Sequence, residues 1–213
     1  HKSIANRHHL VAGSIAVLGI FSVAESGAQE VSCGLGPPPG SPLFAEHIEK
    51  QERQRQALGY LLLCDESFAR YDFVAEAARA AQRTQTLLFT PTNLATSRFA
   101  SLTQIGSIPD VGSNQQGYRA VRRLYRTESG VLVTIREWDM TAAGGGIRFM
   151  GDYGAVTVRG KEARLTVVKT PTGKGHAEIT WVEGGRLFEV TVGQVVTPES
   201  ALLELKAFAA SLP

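Results

Sequence analysis

The chain has 213 residues and a mass of 22.9 kDa, enough for one ordinary domain with accessories. Apolar residues make up 43% of it and charged residues 20%, which excludes a wholly disordered polymer, and 22 glycines without a fixed period exclude a collagen-like one. A formal net charge of +2 is too balanced to point to nucleic acid.

Residues 1–28 read as a targeting segment. Lys2 and Arg7 precede an uncharged run over residues 10–24, and this run is shorter than the roughly 20 apolar residues that a bilayer-spanning helix requires. A basic start, a short apolar middle and small residues afterwards describe a secretory signal peptide, with cleavage after Ala24 or Ala28. The expected location is therefore the periplasm or cell envelope, with peripheral membrane contact at most. Glu30 stands where a lipid-attachment motif around Cys33 would need an aliphatic residue, so a lipidated cysteine is not expected. In an oxidising compartment the even cysteine count favours a disulfide between Cys33 and Cys64, two unpaired thiols being the alternative.

Residues 29–40 carry Gly34-Leu35-Gly36-Pro37-Pro38-Pro39-Gly40 and read as a linker, because such a run suits neither a helix nor a sheet interior. Residues 41–84 read as a helical region. Ser41-Pro42 has the chemistry of a helix start. Phe44, Ile48, Leu58, Leu61 and Leu62 supply apolar positions, and a second stretch over 68–82 sets Phe73, Ala77 and Ala80 on one face. The pattern predicts a helical pair or a bent helix, broken near Cys64-Asp65.

Beyond Gln85 the period becomes alternating. Residues 87–89 read as a short strand stopped by Pro91, and residues 92–117 as a long polar loop. Strands follow over 118–127, 131–139, 147–150, 155–158, 165–169, 176–182 and 187–192. Hairpin turns at 128–130, 172–175 and 183–186 make neighbouring strands antiparallel. Thr197-Pro198-Glu199 starts a last helix whose apolar face is Leu202, Leu205, Phe208, Ala209 and Leu212. Residues 85–213 thus predict an α+β fold: a curved antiparallel half-barrel of about seven strands, with the N-terminal helices and a C-terminal helix packed on it.

Chemistry is harder to find. Only His47 and His176 follow the leader, no G-x-S-x-G elbow exists, and no catalytic residue is assigned. Glu137 and Asp139 alternate onto one strand face and could act as an acid–base pair, but solvated charges on an exposed face are the simpler reading. Thr172-Gly173-Lys174-Gly175 departs from a P-loop, since Val168 stands where the first glycine belongs and Gly175 replaces the Ser or Thr. Two cysteines and two distant histidines make no metal-ligand pattern, and no cofactor is expected.

Arg119, Arg122, Arg123 and Arg126 crowd one strand, alternating between its two faces. Such a strand suits a position at or near a sheet edge. The alternative is a contact for an anionic partner, such as an acidic envelope protein or lipid headgroups; nucleic acid would need a single-signed face with stacking aromatics. Trp138, Tyr153, Trp181 and Phe188 either fill the core or line a ligand pocket inside the curved sheet.

Several short motifs lie between residues 87 and 212. They are Leu87-Leu88-Phe89-Thr90-Pro91 with Leu94, the paired strands 118–127 and 131–139, Val158-Arg159-Gly160-Lys161, Ile179-Thr180-Trp181 with its Gly184-Gly185 turn, and the helix after Thr197-Pro198-Glu199-Ser200. In these the chain resembles an uncharacterised extracytoplasmic domain of anti-sigma-factor-like membrane proteins, within the lipoprotein-carrier and sigma-factor-regulator half-barrel group. The resemblance implies helices on the hollow side of a half-barrel and, as in the carriers, a cavity sheltering acyl chains. The chain departs from the pattern in having no cytoplasmic zinc-binding or sigma-factor-binding part and no counterpart for residues 29–83, so a sigma-regulatory role is not carried over. The expectation is an exported, non-enzymatic protein that holds an apolar ligand or lipid in a half-barrel cavity. An envelope protein–protein interaction or sensor module is the alternative, and a hydrolase without a recognisable motif the second.

Overall fold

The computed structural model describes residues 31, 33, 36–38, 40–82, 86–110, 117–141, 154–194 and 197–213. The expected leader, the strand at 147–150 and Tyr153 lie outside the described residues. Helix α1 (Pro42–Leu58) begins where the Ser41 hydroxyl accepts from the Leu43 N–H, with Pro42 in the first turn. It ends at Gly59, whose φ of 75° gives the left-handed turn that a β-carbon would oppose. Leu61 and Leu62 then leave the helical path, contrary to expectation, and form β1 (Leu61–Leu62) in parallel pairing with Val168 and Lys169. Leu61, Leu62 and Leu63 are all buried there, whereas α1 buries no residue. A run of three leucines is thus better covered by a sheet edge than by this helix.

Helix α2 (Asp65–Phe68) and a 3-10 turn (Ala69–Tyr71) lead to α3 (Phe73–Ala80). The Asp72 carboxylate caps α3 by accepting from the Ala75 N–H at 3.1 Å, and the buried face is the expected Phe73, Ala77 and Ala80. The helical region is therefore broken over residues 59–64, a gap that begins earlier than the expected break near Cys64-Asp65 and ends at it.

The remaining strands are β2 (Thr103–Asp110), β3 (Ala120–Arg126), β4 (Leu132–Asp139), β5 (Ala155–Val158), β6 (Lys161–Lys169), β7 (Gly175–Glu183) and β8 (Arg186–Gly193). With β1 they form one open, curved sheet in the order β1-β6-β7-β8-β4-β3-β2, and β5 pairs with the start of β6. Apart from β1 with β6, the paired strands are antiparallel, and the three expected hairpins join β3 to β4, β6 to β7 and β7 to β8. The α+β class and curved antiparallel sheet read from the sequence are those of the structure.

Strand β2 takes up eight residues of the loop expected over 92–117. Gly106 and Pro109 hide it from a propensity reading, yet it stands at the end of the strand order of the described residues, a position where a proline is tolerated. Gly106 also lets α3 approach, since a β-carbon there would lie 3.2 Å from that of Ala77. Residues 87–89 make only a single parallel bridge, from Leu87 to Tyr118.

Strand register assigns the two faces. Trp181, Phe188, Glu137 and Val121 form one cross-strand row; Ile179, Val190, Ile135 and Arg123 form the next. This face is covered by α4 (Pro198–Ala210), through Leu205, Phe208, Ala209 and the following Leu212, and by Leu94 and Phe99. Helix α4 starts in a capping box between Thr197 and Ser200. Trp181 has no exposure and stacks on Phe188 with ring centroids 5.2 Å apart. Its Nε1–H donates to Glu183 at 3.3 Å. Glu183 in turn pairs with Arg159, which also donates to the Leu212 carbonyl and ties down the end of the chain. On the opposite face Phe73 and Ala77 pack on Ile108 and Leu124, and Leu61 and Leu63 pack on Val168. Helices therefore cover both sides of the sheet.

Candidate functional site

Strand β3 lies one place in from β2, near the edge as expected, but Arg122 and Arg123 within it are not surface charges. Arg122 and Arg123 point to opposite faces and both are buried in ion pairs, to Glu189 and Glu137 respectively. Arg119 pairs with Asp139 at 3.3 Å. Arg126, at the strand end, is exposed. Two covered faces explain the difference: an arginine directed inward from either side must meet a counterion, because an unpaired buried charge costs several kcal/mol, on the order of 3–5 when one partner is removed.

The expectation of solvated carboxylates at Glu137 and Asp139 is overturned for the same reason. Glu137 has no exposed surface. Its Oε2 accepts from the Thr92 N–H at 2.9 Å and the Thr92 hydroxyl at 2.7 Å, and lies 3.5 Å from Arg186 Nη1. Its Oε1 takes the Arg123 Nη2–H bond, while Arg123 Nη1 donates to the Thr92 carbonyl at 2.9 Å. Asp139 accepts from the Thr141 hydroxyl at 2.6 Å and its N–H at 3.1 Å; these bonds, with Arg119 and Arg186 nearby, hold its carboxyl below the usual range. The two acids are thus occupied by donors, and Glu137 fastens Thr92 to the sheet from a distance of 45 positions in the chain.

That fastening shapes a cleft of about 450 Å³ between residues 91–104 and β3. Thr92, Asn93, Gln104, Arg123 and Tyr125 give it polar walls, and Leu94 and Phe99 supply apolar surface. Asn93 shapes the entry, its Oδ1 accepting from the Ala95 N–H at 3.0 Å. The sequence offered one cue to this cleft, the Pro91-Thr92-Asn93 turn chemistry, but nothing that tied it to Glu137.

The aromatic residues considered for a pocket are separated by the sheet. Trp181 and Phe188 belong to the core under α4. Trp138 pairs in register with Leu187 and so points to the other face. The three cannot line one cavity, and Tyr153 lies outside the described residues.

On the α3 face, Ile108, Arg122, Arg136, Glu189 and Thr180 form a row across five strands. Arg122 and Arg136 stand directly opposite each other, a repulsive placement unless an anion intervenes. Glu189 intervenes, bonding Arg122 and lying 3.8 Å from Arg136, which also pairs with Asp110 at 2.8 Å. Thr134 satisfies Arg122 further at 2.9 Å and shares a hydrogen bond with Thr191 at 2.8 Å. The Phe73 ring caps the Arg122 guanidinium at 4.1 Å. Burial, reinforced by Glu178 nearby, pushes the Glu189 carboxyl up to about 7 against the pull of both arginines. Burial also acts on Glu178, but His176 and Arg122 outweigh it and hold Glu178 below its usual value. His176, just after the 172–175 hairpin turn, is buried and stacked on Tyr71 at 4.2 Å, its Nε2 3.8 Å from Glu178.

Lys174 belongs to a hairpin turn, as the departure from a P-loop implied, and binds Asp65 at 3.1 Å; Thr172 donates to the same oxygen at 2.7 Å. His47 Nε2 lies 2.9 Å from the Gln51 amide one helical turn on. Cys33 and Cys64 are thiols here, with their side chains in mutual hydrogen-bonding reach. Among the described residues no cluster of His, Cys, Asp or Glu has a metal-binding arrangement, and no helix is long and apolar enough to cross a membrane. No family model, curated protein or solved structure matches the chain.

Proposed function

We propose that this chain is an exported, non-enzymatic binding or sensor module of the cell envelope that takes an extended segment of a partner protein at the cleft between residues 91–104 and β3. The observation that carries this reading is a contrast within one face. Under α4 the sheet is filled, with Trp181 wholly buried on Phe188, so an acyl chain there would have to displace the helix. At the end of the same face the cleft stays open, and it adjoins the outer side of β2 at Gln104. An edge strand offers unpaired backbone groups to a peptide, and the amides of Asn93 and Gln104 can bond a peptide backbone beside it. The saturated state of Glu137 and Asp139 supports a binding role over a hydrolytic one. The resemblance to extracytoplasmic domains of regulatory membrane proteins agrees with an envelope partner.

A photo-crosslinking residue at Gln104, expressed in the envelope of the source cell, is expected to capture one discrete protein. The same group at the exposed Glu199 on α4 should not. Stoichiometric lipid retained by the purified protein in native mass spectrometry, with no capture at Gln104, would replace this reading with a lipid carrier whose helix α4 moves aside.

A further inference from the structure

We propose that Cys33 and Cys64 form a reversible thiol–disulfide clasp across α1, in which Cys64 is the attacking thiol and Cys33 the resolving one. The inference does not depend on the cleft.

Among the described residues before α1, Gly36 lies back against the helix. Gly36 lies so close to His47 that a β-carbon on it would stand 2.6 Å from the imidazole Nε2. Helix α1 has 17 residues and is roughly 25 Å long at 1.5 Å per residue. Beyond the Gly36 contact the Cys33 side chain comes within hydrogen-bonding reach of Cys64. The meeting of the two sulfurs depends on α1 being formed and on the linker lying against it. Helix α1 buries no residue of its own, so a bond closing this loop would be a principal constraint on its seating.

The two thiols are unequal. Cys64 follows the buried β1, and its neighbour Asp65 is bound by Thr172 and Lys174, so its position is fixed by the sheet. Its Sγ lies 3.2 Å from the Ser67 hydroxyl. Hydrogen bonding with Cys33 and Ser67 draws the Cys64 thiol below its ordinary value, and the same contact with Cys64 pushes Cys33 up. Cys33 is exposed and Cys64 half-buried, so a small disulfide can reach the pair. The Cys64 thiolate attacks one sulfur of an external disulfide such as oxidised glutathione, forms a mixed disulfide and expels one thiolate. Cys33 then attacks the Cys64 sulfur, expels the second thiolate and passes it the Cys33 proton. Two external thiols are produced for each internal disulfide, and a small dithiol reverses the sequence.

The full chain treated with oxidised glutathione is expected to lose two hydrogen masses and to yield a linked peptide containing both cysteines. The Cys33→Ser variant should stop as a glutathione adduct on Cys64. In the Cys64→Ser variant, adduct formation at Cys33 should be slower by roughly ten-fold or more at neutral pH. Amide exchange over residues 42–58 should slow on oxidation and recover with dithiothreitol. Equal adduct rates in the two variants, or faster modification of Cys33, would overturn the assignment of roles. Two thiols persisting under oxidised glutathione, or unchanged exchange over 42–58 in the oxidised chain, would overturn the clasp.

Discussion

Arg122 and Arg123 are neighbours in one strand, yet they enter two different kinds of buried ionic site. On the α4 face, Arg123 meets a glutamate that is bound from several sides: a backbone N–H, a threonine hydroxyl and a second arginine all reach Glu137. On the α3 face, Arg122 meets a glutamate with two arginines but with a second carboxylate, Glu178, close by. Both acids are buried and both have cationic partners. The difference shows that counting ion pairs does not describe a buried carboxylate; the other charges and donors in its surroundings matter as much, and at Glu189 burial and Glu178 raise the carboxyl despite its two arginines. One site acts as a fastener for a distant segment, and the other is a titrating layer beneath a short helix.

The largest effect should separate the two sites directly. Glu137→Gln leaves Arg123 without its counter-charge and loosens residues 90–94, and is expected to cost about 3 kcal/mol in urea unfolding. Glu189→Gln resembles a form that the native protein already populates near pH 7, so it should cost less than about 1 kcal/mol there. Equal costs would break the comparison.

The pH dependence sharpens it. Glu189 titrates at about 7 when folded against an ordinary value of 4.5, so the native state binds the extra proton. The resulting stabilisation is fully present below the ordinary value and is lost as pH rises through about 7. Wild type measured against Glu189→Gln should therefore lose on the order of 2 kcal/mol between pH 5 and 8. Glu178, held low, contributes in the opposite sense, its stabilisation fading only as pH falls through its folded value. A difference between wild type and Glu189→Gln that is flat across this range would remove the titrating layer from the comparison.

Smaller effects test the covers. Phe73→Leu keeps an apolar side chain but removes the ring from Arg122, and should cost about 1 kcal/mol, with faster amide exchange in α3. Arg126→Ala should change stability by no more than about 0.5 kcal/mol, because this arginine, unlike Arg122 and Arg123 on the same strand, ends in solvent. A loss comparable to that of Arg123→Ala would mean that β3 is not divided as described.

Local chemistry was the legible part. Thr197-Pro198 opened a helix and the Gly-bearing turns closed three hairpins because those signals act within a few residues. The buried face of α3 was legible from its period for the same reason. Strand β2 was not, because Gly106 and Pro109 suit an edge strand packed under α3 and look like a loop in isolation. Leu61 and Leu62 were misread as helical, since a short apolar run has no period that separates a strand from a helix. The cleft was illegible because Thr92 and Glu137 meet only after folding.

By itself the sequence determined the class of the fold, the alternation that buries Trp181, and the opposite directions of Arg122 and Arg123, all of which follow from backbone geometry repeating over a few residues. Only the tertiary structure decided that both faces of the sheet are covered. That coverage turned candidate surface charges into internal counterions and moved the open site from the middle of the sheet to its edge, because the burial of a charge depends on which distant segments pack against it, and no local pattern encodes that.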